Sequence, residues 1–361
     1  MNIIGQEKNE IDTPALLIDL DIMKKNLRLM ADFFRDTSAK LRAHTKVHRC
    51  PAIANMQIKE GAKGICCQKV GEAEVMAEAG LNDIIVTNQI VTPSKIQRLL
   101  ALTALSTITV PIDNPDNATL LSKLALRSKT KLNVLIDIHM GSQRCGVEPG
   151  EPAVKLAKHV MKLKGLHLKG LMGFEGHISW MMPRKKRQIE CEKLENLLLE
   201  TKKLFEKEDV PVEEISTGTT GTYDITAKYR GITEVQAGTY ILMDYTYHKY
   251  VPEFTPALSV LSTVISTPSS QRAITDIGIM SMNTSYGLPV LKEFPDIEVK
   301  DLHAENTILQ LKKPSKLKIG QKVEFLPTYI DGTVNLHNQF HVMRKGKLEA
   351  IWNIQGRGRS L

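Results

Sequence analysis

Leu41-Arg42-Ala43-His44-Thr45-Lys46-Val47-His48-Arg49 is a short run that mixes β-formers with basic residues. It reads as an early strand that delivers one lysine, Lys46, to its C-terminal end. In an α/β barrel that end of the strands is where chemistry collects. A lysine there is well placed to form a Schiff base with a carbonyl, provided its amine is free of the extra proton. Arg42, His44, His48 and Arg49 set positive or potentially positive charge around it, and like charge favours the free amine. Taken alone, the nine residues also suit an ordinary basic surface patch, because charge runs usually face solvent. The rest of the chain has to decide between the two.

Outward from this run, between about residues 40 and 240, short apolar runs alternate with longer helical stripes. Strands are predicted at residues 41–46, 64–68, 83–87, 107–112, 132–138, 166–174, 212–217 and 233–237. Amphipathic helices are predicted between most of them, and four begin near a proline, the residue favoured in a first helical turn. Eight strands separated by crossovers specify an α/β chain folded as a (β/α)8 TIM barrel. After about Tyr250 the pattern changes to short strands at 258–266, 271–275, 307–312 and 321–325 with Gly, Pro and Asn turns, so a mainly-β second domain is expected. The expected division is a barrel over residues 26–249 and a β domain built from 1–25 and 250–361. An early strand at 15–20 is expected to pair with that second domain.

At 361 residues the chain has ample core, and 42% hydrophobic with 24% charged residues describes a globular protein. A net charge of +8 raises nucleic acid as a partner, but aromatics are only 5% and the lysines are scattered along amphipathic helices. No nucleic-acid partner is therefore expected, and an anionic small molecule, such as a phosphate-bearing cofactor, fits as well. Five cysteines without a CxxC pair signal neither a disulfide framework nor a zinc site. The first thirteen residues do not read as a signal peptide and no segment has the apolar length to span a bilayer. The expectation is a cytoplasmic protein without a membrane partner.

Two later stretches carry chemistry. Ile215-Ser216-Thr217-Gly218-Thr219-Thr220-Gly221-Thr222-Tyr223-Asp224 leaves the seventh predicted barrel strand, and Glu234-Val235-Gln236-Ala237-Gly238-Thr239-Tyr240 ends the eighth. Glycines let backbone approach an anion, while N–H groups and threonine hydroxyls supply donors. Loops after these two strands commonly bind phosphate in this architecture.

The chain resembles the fold-type III pyridoxal-phosphate enzymes, related to alanine racemase, in the branch of D-threonine aldolase, D-3-hydroxyaspartate aldolase and D-serine dehydratase. The matching pieces run almost end to end. They are Asp12-Thr13-Pro14-Ala15 with Asp19-Leu20-Asp21, the Lys46 run, Val70-Gly71-Glu72-Ala73-Glu74, and Gly141-Ser142-Gln143-Arg144-Cys145-Gly146-Val147. Gly173-Phe174-Glu175-Gly176-His177, the two glycine-threonine loops, and Thr333-Val334-Asn335-Leu336 leading to Trp352 and Gly356-Arg357-Gly358 complete them. The resemblance implies pyridoxal 5′-phosphate as cofactor, with Lys46 carrying it and moving the α-proton. It implies Gly218, Thr219, Gly221, Thr222, Gly238, Thr239 and Tyr240 as the phosphate site, and Arg144 facing the cofactor near its O3′ and substrate side. Phe174 stands where relatives often carry a tyrosine, and His177 is either a substrate contact or a packed rim histidine.

In this branch a divalent cation held by a histidine and a cysteine or aspartate usually grips the substrate's β-hydroxyl. Here Tyr329 occupies the histidine position while Asp331 remains, leaving Asp331 as a doubtful metal ligand and Tyr329 as an acid/base, a substrate contact or a buried structural tyrosine. Asn306, Asn283 and Trp180 are further departures. His337 and His341 are expected to share one face of a β-segment as a surface pair. The leading expectation is a lyase that cleaves a D-β-hydroxy amino acid to glycine and an aldehyde. The alternatives are a D-serine or D-3-hydroxy amino acid dehydratase, a metal-independent racemase, a cofactor carrier, or a binding protein that has lost its chemistry. A homodimer is expected by analogy of fold.

Overall fold

The computed structural model describes residues 3–312 and 317–361; residues 1, 2 and 313–316, inside the expected β domain, lie outside the described residues. The chain divides into two compact units. One comprises residues 30–46, 53–238 and 359–361, the other residues 1–29, 47–52 and 239–358.

A strand at Ala15–Asp19 (β1) and a helix at Leu20–Arg35 (α1) precede the barrel strands. These are β2 (Lys40–His44), β3 (Gly64–Cys67), β4 (Asp83–Val86), β5 (Thr107–Ile112), β6 (Leu132–Ile138), β7 (Leu166–Gly173), β8 (Glu214–Thr217) and β9 (Glu234–Val235). They close in sequence order into a barrel whose paired strands are all parallel. The helices between them are α2 (Pro51–Lys59), α3 (Val70–Glu78), α4 (Pro93–Ala101), α5 (Pro115–Arg127), α6 (Glu151–Met161), α7 (Arg184–Lys207) and α8 (Tyr223–Thr226). Pro93 and Pro115 open their helices, and Asn114 caps α5 by accepting from the N–H groups of Asp116 and Asn117. Strands covered on both faces read as continuous apolar runs, and Val134, Leu135, Ile136 and Ile138 of β6 are all buried. Cys66, Ile85, Leu135 and Met172, one from each of four strands, form a buried cluster.

The seam where the first barrel strand meets the last is short. β2 pairs β9 only through Lys40 with Glu234 and Leu41 with Val235. A buried ion cluster reinforces it at the N-terminal ends of the strands. Arg42 Nε donates to Glu234 Oε1 at 2.7 Å, its Nη1 donates to Asp83 Oδ1 at 2.8 Å, and Lys63 Nζ reaches Glu234 Oε2 at 3.0 Å. Burial alone would push the Glu234 carboxyl up, but Arg42 and Lys63 hold it below its usual range. Arg42 therefore does not serve as free positive charge around Lys46. Its charge is matched by two carboxylates at the opposite end of β2.

Lys46 is not a strand residue either. β2 ends at His44, and Lys46 is the middle residue of a 3-10 turn over Thr45–Val47. Thr45 has turned to hydrogen-bond neighbouring backbone instead of extending the ladder.

The second unit is built on a nine-stranded sheet that contains β1 and, in chain order, β10 (Leu258–Ser269), β11 (Arg272–Thr275), β12 (Val290–Leu291), β13 (Glu298–Leu302), β14 (Thr307–Gln310), β15 (Lys322–Leu326), β16 (Gln339–Arg344) and β17 (Lys347–Asn353). β1 lies between β10, to which it is antiparallel, and β16, to which it is parallel. Ile11, Ala15, Leu17, Leu261, Met343 and Leu348 pack together there. A short helix over Tyr245–His248 (α9) and another over Ile330–Val334 (α10) belong to the same unit.

Candidate active site

The Lys46 turn is held from below. Thr45 Oγ1 donates to Cys66 O at 2.9 Å, the Lys46 N–H donates to His44 Nδ1 at 3.4 Å, and His44 Nε2 meets Thr87 Oγ1 at 3.3 Å. Within the run from Leu41 to Arg49 only Lys46 and Arg49 are other than buried, and His48 has no exposed surface at all. A solvated basic patch is thereby excluded. The run threads the barrel wall and surfaces at Lys46.

The ends of β6 and β7 bring in the next groups. Asp137 is buried and accepts from Gln89 Nε2 at 2.7 Å; burial, with Asp113 beside it, pushes its carboxyl up to about 7. Arg144, on the loop after β6, is exposed and lays its guanidinium 4.2 Å over the Phe174 ring. Phe174 thus provides a cation–π platform for the arginine without the hydroxyl a tyrosine would bring. His177, in the turn Gly176–Ile178 after β7, is exposed rather than packed. Its partial burial and the nearby His139 lower its pKa, and its Nε2 lies 3.6 Å from where a side chain on Gly141 would begin.

The loop after β8 is compact and buried. Gly218 has φ +87°, a left-handed conformation that favours glycine. Thr219 Oγ1 accepts from Gly221 N at 3.1 Å and lies 2.8 Å from Ser179 Oγ and 3.2 Å from Thr222 Oγ1. A Cβ at Gly221 would sit 2.8 Å from Ser179 atoms, and one at Gly238 would sit 2.6 Å from the carbonyl oxygen of His44. His44 N in turn donates to Ala237 O at 3.0 Å, so the chain just after β9 runs against the strand that leads to Lys46. Glu175, fully buried, binds this loop from behind. In the sequence Glu175 shows only as an acid within Gly173-Phe174-Glu175-Gly176-His177, directly after an apolar run, which by itself marks no role.

Thr239 and Tyr240 follow in the chain and belong to the other unit. Tyr240 is fully buried with its ring centroid 5.7 Å from that of Phe254. In the same unit Tyr329 precedes α10, its ring meeting Tyr286 edge-on at 4.6 Å. Asp331 is buried in the first turn of α10, and Arg49 Nη1 donates to its backbone carbonyl at 2.8 Å. Burial, Asp331 and Tyr286 together push the Tyr329 phenol up to about 12. Burial likewise pushes Asp244 up to about 7, with Asp331 adding to it. His337 and His341 do not form a surface pair on one strand. His337 precedes β16, is half-buried and bonds Ser281 O through Nε2 at 2.8 Å, while His341 is half-buried on β16 beside Leu17 of β1.

Comparison with known proteins places this geometry in context. Residues 18–246 match the family described as the alanine racemase N-terminal domain, and residues 257–343 match a putative serine dehydratase domain. D-threonine aldolase of Arthrobacter sp. is 32% identical over 98% of this chain and 95% of that protein. 3-Hydroxy-D-aspartate aldolase of Paracoccus denitrificans strain Pd 1222 is 31% identical over 98% of this chain and 94% of its own length. The solved structure of D-threonine aldolase from Filomicrobium marinum superposes with a TM-score of 0.97 at 32% identity, covering 99% of this chain and 98% of the other. The chain belongs to the alanine racemase N-terminal domain family and carries with that barrel a serine dehydratase-type second domain.

Proposed function

We propose that the protein is a pyridoxal-phosphate-dependent lyase that cleaves the Cα–Cβ bond of a D-configured β-hydroxy amino acid, releasing glycine and an aldehyde. The observation that carries this reading is the position of Lys46, which surfaces just past β2 on a barrel whose β8 ends in a glycine-threonine loop, in a chain similar from end to end to two aldolases. The residues present fit such a cofactor. Gly221 and Gly238 stand where a Cβ would strike neighbouring atoms, so backbone reaches the loop surfaces, and three hydroxyls gather at Ser179, Thr219 and Thr222. Lys46 would hold the cofactor and move the α-proton. Gly218, Thr219, Gly221, Thr222, Gly238, Thr239 and Tyr240 would hold its phosphate, Tyr240 by backbone since its ring is buried. Arg144, held over the Phe174 ring, would orient the cofactor and the substrate side. When bound, pyridoxal phosphate supplies an electron sink for the pair released at Cα.

We assign Tyr329 as the group that exchanges the β-hydroxyl proton and His177 as a substrate contact. The pair Tyr329 and Asp331 does not fit the divalent cation of the branch: a phenol that keeps its proton at neutral pH is a poor ligand, and one carboxylate is a weak site. The loss of the branch's histidine ligand favours one second reading, a racemase, which needs only a second acid/base on the opposite face of the substrate. A homodimer is proposed by analogy of fold, and a cytoplasmic setting from five cysteines without a CxxC pair or disulfide framework. Among the described residues no helix is long and apolar enough to cross a membrane.

Proton NMR of the pyridoxal-phosphate-loaded protein with D-threonine in heavy water tests this directly. Glycine and acetaldehyde are expected, at a rate unchanged by a chelator and absent in Lys46→Ala. Deuterium at Cα without cleavage would move the assignment to a racemase, and 2-oxobutanoate to a dehydratase. No turnover of D-threonine or of D-3-hydroxyaspartate would sink the aldolase reading.

A further inference from the structure

Glu175 is fully buried two residues past the end of β7, directly behind the loop that leaves β8. Its Oε2 accepts from Thr217 Oγ1 at 3.2 Å and from Gly218 N at 3.1 Å, and its Oε1 accepts from Thr222 Oγ1. One carboxyl thus ties together the two ends of the loop. The hold passes on from Thr222, whose Oγ1 accepts from Thr219 N at 3.0 Å, to Thr219 and its contacts with Gly221 and Ser179. On the far side Glu175 meets Cys191 and Glu195, their ligand atoms all within 4.8 Å of one another. Glu195 Oε1 accepts from Thr226 Oγ1 at 2.9 Å, at the end of α8, which begins one residue after the loop.

We propose that Glu175 is a positioning residue for the cofactor's phosphate group, fixing the shape of the Thr217–Thr222 loop from behind without touching the ligand. This rests on the reading above that the loop binds phosphate. A charged carboxylate directly behind an anion site would oppose the anion, so the residue has to work uncharged. Its surroundings agree. Burial raises the Glu175 carboxyl above its usual range against the pull of its hydrogen bonds, and burial together with Glu175 raises Glu195 as well. Two buried carboxyls this close disfavour each other's ionised form. Glutamine, with the same reach and no charge, keeps one oxygen to accept from Thr217 and Gly218 and places an amide N–H where the Thr222 hydroxyl can turn to accept it.

The test is equilibrium dialysis of the wild type, Glu175→Gln and Glu175→Leu against pyridoxal phosphate and, separately, against pyridoxal, which lacks the phosphate. Glu175→Gln is expected to hold pyridoxal phosphate within about twofold of wild type. Glu175→Leu, having lost the bonds that shape the loop, is expected to hold it about tenfold or more weakly. All three are expected to bind pyridoxal alike. If Glu175→Leu does not fold, Glu175→Asp carries the same expectation, because its shortened carboxyl cannot reach both ends of the loop. The proposal is overturned if the leucine or aspartate variant holds pyridoxal phosphate as well as wild type, if it loses both ligands equally, or if glutamine behaves like leucine. A wild type that binds neither ligand overturns the cofactor reading itself. A wild type that binds both equally overturns the assignment of the loop to phosphate.

Discussion

On the proposed reading, Tyr329 is the residue that sets this chain apart from the metal-using pattern it resembles. Its phenol is pushed up to about 12 by burial, by Asp331 and by Tyr286, with Arg49 opposing, so it carries its proton throughout the neutral range. As a neutral phenol it can donate to an aldehyde oxygen, and it takes a proton from a hydroxyl only in its minor phenolate form. Tyr329→Phe is expected to keep the fold, because the edge-on contact with Tyr286 needs only the ring, and to lower aldol cleavage about 10²- to 10⁴-fold. Steady-state kinetics beside a thermal melt would check this, and a variant with wild-type turnover would remove Tyr329 from the proton path. Tyr329→His restores the donor pair of the branch and is expected to make the rate rise with added manganese and fall with a chelator.

At the scale of elements, the glycine that matters is Gly238. An added methyl would press on the His44 carbonyl at 2.6 Å, and backbone cannot give way as a flexible side chain does. Gly238→Ala is expected to displace the strand end that leads to Lys46, costing about 1–3 kcal/mol of stability. A lower melting temperature and reduced retention of pyridoxal phosphate on gel filtration are the readouts; an unchanged variant would mean the strand end and the loop are not coupled. The barrel strands were legible because parallel strands covered on both faces leave nearly unbroken apolar runs, as in β6. The second unit hid more. β13 reads Glu-Val-Lys-Asp-Leu with a bulge in its pairing, and β12 is two residues long, so neither carries a period to detect. Lys46 and the glycine-threonine loops could be read from spacing along the chain. Glu175 could not, because its partners at Thr217 and Thr222 lie 42 and 47 residues on, and only the folded barrel brings them together.

Across the whole molecule, acid sensitivity should follow from carboxylates held ionised in each unit. Lys8, Lys292 and Ser259 surround Glu324, and although burial opposes ionisation, these partners hold its carboxyl down to about 2. A depressed carboxyl contributes stability fully above its unfolded value, near 4.5, and loses it as pH falls through the folded one. Melting temperatures taken from neutral pH down towards about pH 2 should therefore fall more steeply for wild type than for Glu324→Gln, which starts lower; parallel curves would show that the cluster contributes nothing to acid behaviour. The seam at β2 and β9 has a different consequence, one of timing. Arg42 emerges early in synthesis, yet its partner Glu234 lies 192 residues downstream. Until the ribosome has released that last strand, the nascent barrel has an open edge and an arginine without its main counter-ion. Closure is thereby deferred to the end of the barrel's translation, and a chain released before Glu234 leaves an unpaired β2 edge for chaperones or proteases to find.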